Sequence, residues 1–225
     1  MEILQRDKLS RRRSGSLREY RLVVDARISE DPQESGPWRG VGQLVYLADR
    51  CLAPHGETES TQRGGVDTLC LVLSGSLGVA GGSHAGSPLR PYDVQVLRVG
   101  AEGFSRKLVN PEDTECRTVE LRLLHAAGDD TAISRVFQSQ PGRITRVYGG
   151  AETSDSAFPG STCIDIARLQ GGQSLDVDKP ALVYVCDGQG FANEEIAGAG
   201  TLLRSEQLTF DATENACLIL IHEEV

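Results

Sequence analysis

Residues 66–75, VDTLCLVLSG, decide the fold. Thr68, Cys70 and Val72 alternate with Leu69, Leu71 and Leu73, so both faces of the extended chain favour burial. Ser74-Gly75-Ser76 breaks the run, which predicts a buried strand ending in a tight turn. Working outward, Leu77-Gly78-Val79 continues as a short strand and Gly81-Gly82-Ser83 turns. Pro91-Tyr92-Asp93 then leads into Val94-Gln95-Val96-Leu97. A strand, a glycine corner, a second strand, a turn and a Pro-x-Asp re-entry form the pattern of a small antiparallel barrel.

The same grammar extends in both directions. Upstream, Leu17–Ala26 is a strand around Leu22, Val23 and Val24, and Leu44–Leu47 begins the first barrel behind Trp38, which would plug one barrel end. Downstream, Val119, Leu121 and Leu123 alternate with polar neighbours in a strand expected to have one wet face. Arg143–Val147, Cys163–Leu169, Ala181–Cys186, Gly200–Leu203, Gln207–Phe210 and Ala216–Ile221 then read as further short strands. LCLVLSGSL at 69–77 matches ALVYVCDGQGF at 181–191 in character, each an apolar strand ending in polar-Gly-polar. The expected fold is therefore all-β, a duplicated barrel, with one barrel over 1–130 and the other over 131–225.

With 225 residues the chain can bury two cores, and its 25 Gly and 9 Pro favour turns over long helices. The net charge of −9 argues against nucleic-acid binding. Six basic and three acidic side chains give residues 1–20 a charge of +3 and the remainder −12, so residues 1–16, centred on Arg11-Arg12-Arg13, are expected to be a flexible basic terminus. No run approaches the roughly 18 apolar residues of a membrane span, and no apolar stretch follows the basic start, so a cytoplasmic protein with no membrane partner is expected. The six cysteines show no CxxC spacing and read as free thiols. Cys70 and Cys217 sit in apolar strands, whereas Cys51 and Cys186 lie beside polar residues and are the expected exposed, redox-capable thiols.

Several stretches resemble the pirin family of two-barrel cupins. In the first half these are LVYLADRCLAPHGETE, VDTLCLVLSGSL, LRPYDVQVLRVGAEGFSRKLVNPED and VELRLL; in the second, LVYVCDGQGFANEEIAGAGTLLRSEQLTF and CLILIHEE. The resemblance implies two jelly-roll-like cupin barrels. It also implies that a divalent metal, where the family has one, is held in the first barrel by an H-x-H pair before the central strand and by a His and a Glu two residues apart before the Asn-Pro turn. Counted back from Leu73-Ser74-Gly75, the first pair falls on Thr61 and Arg63; counted back from Asn110-Pro111, the second falls on Arg106 and Leu108. None is a normal metal ligand, and an always-protonated arginine repels a cation.

The four histidines, at 55, 84, 125 and 222, do not repair the set, and only His55, with Glu57 and Glu59 alternating behind it, is a weak candidate ligand. The resemblance is to the metal-lacking, YhaK-type branch of the family, so no cofactor is expected. The first functional expectation is a non-catalytic or regulatory protein whose barrel mouth, carrying Arg63 and Arg106 near Thr61 and Gln62, holds a small anion, unless those arginines pair with a carboxylate such as Asp67. The alternatives are a quercetinase-like dioxygenase, which needs the metal, and a redox-responsive protein acting through Cys51 or Cys186. The sequence names no protein partner.

Overall fold

The computed structural model describes residues 1–28, 37–62, 64–80, 87–99, 103–125, 132–150 and 158–224, apart from the side chains of residues 60–62 and 104. The chain forms two compact units, Ser10–Gln138 and a second made of Met1–Leu9 with Ser139–Val225.

In the Ser10–Gln138 unit a seven-stranded sheet runs in the order Ile133–Gln138, Asp93–Arg98, Val66–Ser74, Cys116–Leu124, Leu44–Leu52, Leu17–Val24, Arg12–Ser14. A three-stranded sheet of Glu57–Gln62, Phe104–Val109 and Gly78–Ala80 faces it. Val66–Ser74 lies inside the large sheet, antiparallel to both neighbours, and its apolar run Leu69–Leu73 is buried on both faces. Leu52, Cys70, Val72 and Cys116 from the large sheet pack against Leu77, Leu89 and Leu108 from the other wall. Each fully buried Leu or Val contributes about 1.5–3 kcal/mol of transfer free energy.

The second unit repeats the plan. Its six-stranded sheet runs Glu2–Gln5, Thr201–Ser205, Ala181–Asp187, Ala216–Glu223, Gly160–Leu169, Arg143–Gly150. The facing sheet is Ser174–Val177, Leu208–Ala212, Gln189–Ala192, Glu195–Gly198. Ala181–Asp187 holds the place that Val66–Ser74 holds in the first unit. Each strand ends on a left-handed glycine, Gly75 at φ 73° and Gly188 at φ 78°. A Cβ on Gly188 would lie 2.1 Å from the Asn215 carbonyl oxygen, and one on Gly75 3.0 Å from that of Glu115, so the corner admits no side chain. The all-β, duplicated two-barrel architecture is thus present.

The unit boundary differs from the expected one. Ile133–Gln138, assigned by sequence to the second barrel, pairs with Asp93–Arg98 of the first. The terminus expected to be flexible contains two short strands, Glu2–Gln5 and Arg12–Ser14. Glu2–Gln5 pairs with Thr201–Arg204, Arg6 N–H donates to the Gly200 carbonyl at 2.8 Å, and Arg12–Ser14 pairs with Leu17–Glu19. Unpaired sheet edges attract strands, and here the edge next to Asp93–Arg98 and the edge next to Thr201–Ser205 each take one from beyond the expected limits of the barrel. The helical content of the described residues is a three-residue 3₁₀ turn at Arg6–Lys8, and none of their helices is long and apolar enough to cross a membrane.

Candidate functional site

Cys116–Leu124 was expected to have one wet face, and its polar set does alternate, but it points into the first barrel. Glu120 is 1% exposed and Thr118 is buried. Register sets Glu120 directly across from Cys70, and Cys70 in turn across from Gln95, so all three share the interior face. Thr118 lies across from Arg50 on that face.

These charges are arranged in pairs. Arg50 Nη1 donates to Glu120 Oε2, while Arg122 donates to Glu120 Oε1 through Nε at 2.9 Å and Nη2 at 2.7 Å. Glu19 accepts from Arg21 Nε at 2.7 Å and from the Tyr46 hydroxyl at 3.0 Å, and its Oε2 stands 3.8 Å from Arg50 Nε. Arg122 also stacks over the Tyr46 ring, 4.6 Å from its centroid. Burial raises the carboxyl pKa of Glu120, but the fields of Arg50, Arg122 and Arg106 outweigh it and hold that pKa below its ordinary value. Burial, aided by Glu120, pushes the Cys70 thiol up to about 11.

Arg106 comes from the opposite wall. The alignment positions Arg106 and Leu108 both lie on Phe104–Val109 and both are buried, Arg106 at 3% exposure. Arg106 Nη1 donates to Gln95 Oε1 at 2.7 Å, while its Nε is buried with no hydrogen-bond partner among the described residues. Asp67 does not compensate it. That carboxylate is held by Arg98, with Nε to Oδ1 at 2.9 Å and Nη2 to Oδ2 at 2.7 Å. Arg50 Nε is a second buried donor without a hydrogen-bond partner among the described residues.

Of the other alignment positions, the backbone of Thr61 pairs with Ser105 and that of Ser60 with Arg106, while the Thr61 side chain and all of Arg63 lie outside the described residues, as does His84. Arg106 and Leu108 do not fit a divalent metal, because a guanidinium and an isobutyl group offer it no lone pair. The orphaned N–H groups of Arg106 and Arg50 instead call for an acceptor. His55 does not assemble a site with Glu57 and Glu59. Its side chain is 64% exposed and meets Asp113 Oδ1 at 2.8 Å, while Glu57 is held by Lys107. Among the described residues no three His, Cys, Asp or Glu side chains are placed to hold a metal.

The redox candidates separate. Cys186, expected to be exposed, is 0% exposed, because Ala181–Asp187 is covered on both faces. Cys51 is half-buried; its thiol donates to Glu115 Oε2 at 3.1 Å and receives Arg18 Nη2 at 3.3 Å. Partial burial and the Glu115 hydrogen bond raise its pKa, opposed by Arg18.

The second barrel supplies an internal control. Matching the two large sheets strand by strand sets Arg50, Cys70, Gln95, Thr118 and Glu120 against Ala167, Val183, Leu203, Leu218 and Leu220. All five second-barrel residues are buried apolar core. One scaffold closes over aliphatic side chains and its duplicate over charges, so the architecture as such is compatible with an apolar interior at these positions.

No family model and no curated protein matches this sequence. Solved structures do. The bacterial pirin YhhW from Escherichia coli, in complex with nickel(II), superposes with a TM-score of 0.79 at 13% identity, covering 100% of this chain and 99% of that one. A quercetin 2,3-dioxygenase from Acinetobacter baumannii gives 0.71 at 14% identity, covering 100% and 86%. The protein YhaK from Escherichia coli gives 0.66 at 16%, covering 92% and 94%. At these identities the likeness shows the fold, which is that of the two-barrel pirin and quercetinase cupins.

Proposed function

We propose that this two-barrel cupin binds a small organic anion inside its Ser10–Gln138 barrel and is not a catalyst there, the guanidinium of Arg106 standing where the aligned family places a metal ligand. The observation that carries the reading is the buried Arg106 with its Nε unsatisfied and no carboxylate partner among the described residues. A buried guanidinium with no hydrogen-bonded carboxylate costs several kcal/mol, and the second barrel is apolar at the five positions matched to the residues around it. An anion that reaches Arg106 offsets that cost, which makes the charge a ligand-binding device. This reading groups the chain with the metal-lacking branch its sequence resembles and sets aside the quercetinase-like alternative, whose metal Arg106 and Leu108 cannot ligate. The redox alternative is left with Cys51 alone, in a setting that favours the thiol over the thiolate.

The test is to purify the chain without chelator, denature it, and identify released small molecules by negative-mode mass spectrometry, with metal content and flavonol-dependent oxygen uptake measured in parallel. The expected result is a stoichiometric organic anion that is absent from Arg106→Met, with neither metal nor turnover. Stoichiometric metal with turnover would overturn the proposal.

A further inference from the structure

Building on the reading of Arg106 as an anion-binding group, we infer that its ligand is a short aliphatic monocarboxylate, held side-on by the Nε–Nη2 edge of Arg106.

Geometry fixes the edge. Gln95 Oε1 accepts from Nη1, which anchors the guanidinium plane from one side, while Nε on the opposite edge is buried with no hydrogen-bond partner among the described residues. Two parallel N–H groups on one planar edge match the two oxygens of a carboxylate, the strongest pairing arginine makes. Arg50 Nε is a further unsatisfied buried donor in the same interior, and Arg50 and Arg106 feel one another's charge.

Charge fixes the valence. The buried ionised groups of this network are Arg50, Arg106, Glu19 and Glu120, and Glu19 is taken by Arg21 and the Tyr46 hydroxyl. Glu120 is committed at both oxygens, Oε2 to Arg50 and Oε1 to Arg122. Among the described residues Arg106 donates to neither carboxylate, so its single positive charge is the one left without a hydrogen-bonded counter-ion. The outer members of the network, Arg21 and Arg122, have side chains 25% and 34% exposed, and water screens them. A monoanion neutralises the interior, whereas a dianion leaves a buried negative charge with nothing to offset it.

Surface fixes the remainder of the ligand. Leu108 follows Arg106 on the same face of its strand and packs with Leu52, Val72 and Leu77. The ground beside the guanidinium is therefore aliphatic, which suits a short alkyl group better than a mineral anion.

The experiment compares melting temperatures of the full chain at pH 7 and constant ionic strength with acetate, butanoate, phosphate or sulfate. Each is run against Arg106→Met, so that general salt effects, common to both proteins, cancel. Acetate and butanoate should raise the wild-type melting temperature saturably, butanoate more at equal concentration. Arg106→Lys, which keeps the charge without the fork, should show less than half the shift. Saturation-transfer difference spectra of butanoate with the wild-type chain report binding without any variant. An equal or larger Arg106-dependent shift with sulfate or phosphate would overturn the monocarboxylate while leaving the anion site standing. No Arg106-dependent shift with any anion, and no saturation transfer to butanoate, would overturn both.

Discussion

Glu120 and Leu220 hold the same place in two copies of one barrel, each facing inward and lying directly across from the residue at the same position of its central strand, Cys70 in one case and Val183 in the other. A carboxylate that salt-bridges Arg50 in the first copy is replaced by a methyl-terminated side chain beside Ala167 in the second. The pair is an experiment already half performed, and the first prediction completes it.

Glu120→Leu alone should destabilise the chain by about 3–5 kcal/mol, because it leaves the buried Arg50 without its carboxylate. Adding Arg50→Ala, which imports the second barrel's pair, should recover most of that loss. Urea unfolding of the three proteins checks it; a double variant no better than the single one would show that the charges are structurally required.

Arg106→Met should stabilise the ligand-free chain by about 1–3 kcal/mol, since it removes a buried charge with no hydrogen-bonded counter-ion among the described residues and fills similar volume with an apolar side chain. The measurement is the urea midpoint in chloride buffer free of organic anions. A lower midpoint in the variant would mean that the guanidinium has a partner that stabilises it.

Stability should fall in acid. The folded pKa of Glu120 lies below the ordinary value of about 4.3. Asp165 is likewise lowered: burial raises it, but hydrogen bonds from His222 at 3.0 Å and from Arg146 outweigh burial. With folded values below unfolded ones, the ionised carboxylates contribute fully above the unfolded pKa, and the contribution is lost as pH falls through the folded one. The urea midpoint should hold from pH 7 to pH 5 and drop below about pH 4, less steeply in Asp165→Asn.

In the native protein, Cys51 should be the one of the six thiols that an alkylating reagent labels, and it should react more slowly than free cysteine. Glu115→Gln should speed the reaction severalfold by removing the acceptor that favours the thiol, and Arg18→Gln should slow it. Peptide mapping at pH 7.5 decides, and labelling at Cys186 would contradict its burial.

Deleting residues 1–9 should lower the melting temperature by several degrees, because it strips an edge strand from the second barrel and removes the Gln5 oxygen that accepts from the Thr201 hydroxyl. An unchanged melting temperature would restore the view of this segment as a frayed end.

Much of this was legible in sequence. The doubled apolar pattern of residues 66–73, the glycines at 75 and 188 and the likeness of 69–77 to 181–191 yield two barrels with the observed central strands. Ser174–Val177, Gln189–Ala192 and Glu195–Gly198 escaped notice, because strands of four residues that carry Gly, Asp or Glu lack a periodic signal. Glu2–Gln5 escaped it because its partner strand lies about 200 residues away.

The interior of the first barrel marks the division. The sequence alone determined that Arg106 and Leu108 stand at the aligned metal-ligand positions, since residue identity settles what can donate a lone pair. It could not decide which way the polar residues of Cys116–Leu124 face, because alternation with period two gives two faces without saying which is wet. Only the tertiary structure, by laying Phe104–Val109 over that strand and spending Asp67 on Arg98, turned Glu120 inward and left Arg106 with an Nε that no described residue satisfies. The partner of a buried charge is set by contacts between distant strands, and no local pattern records them.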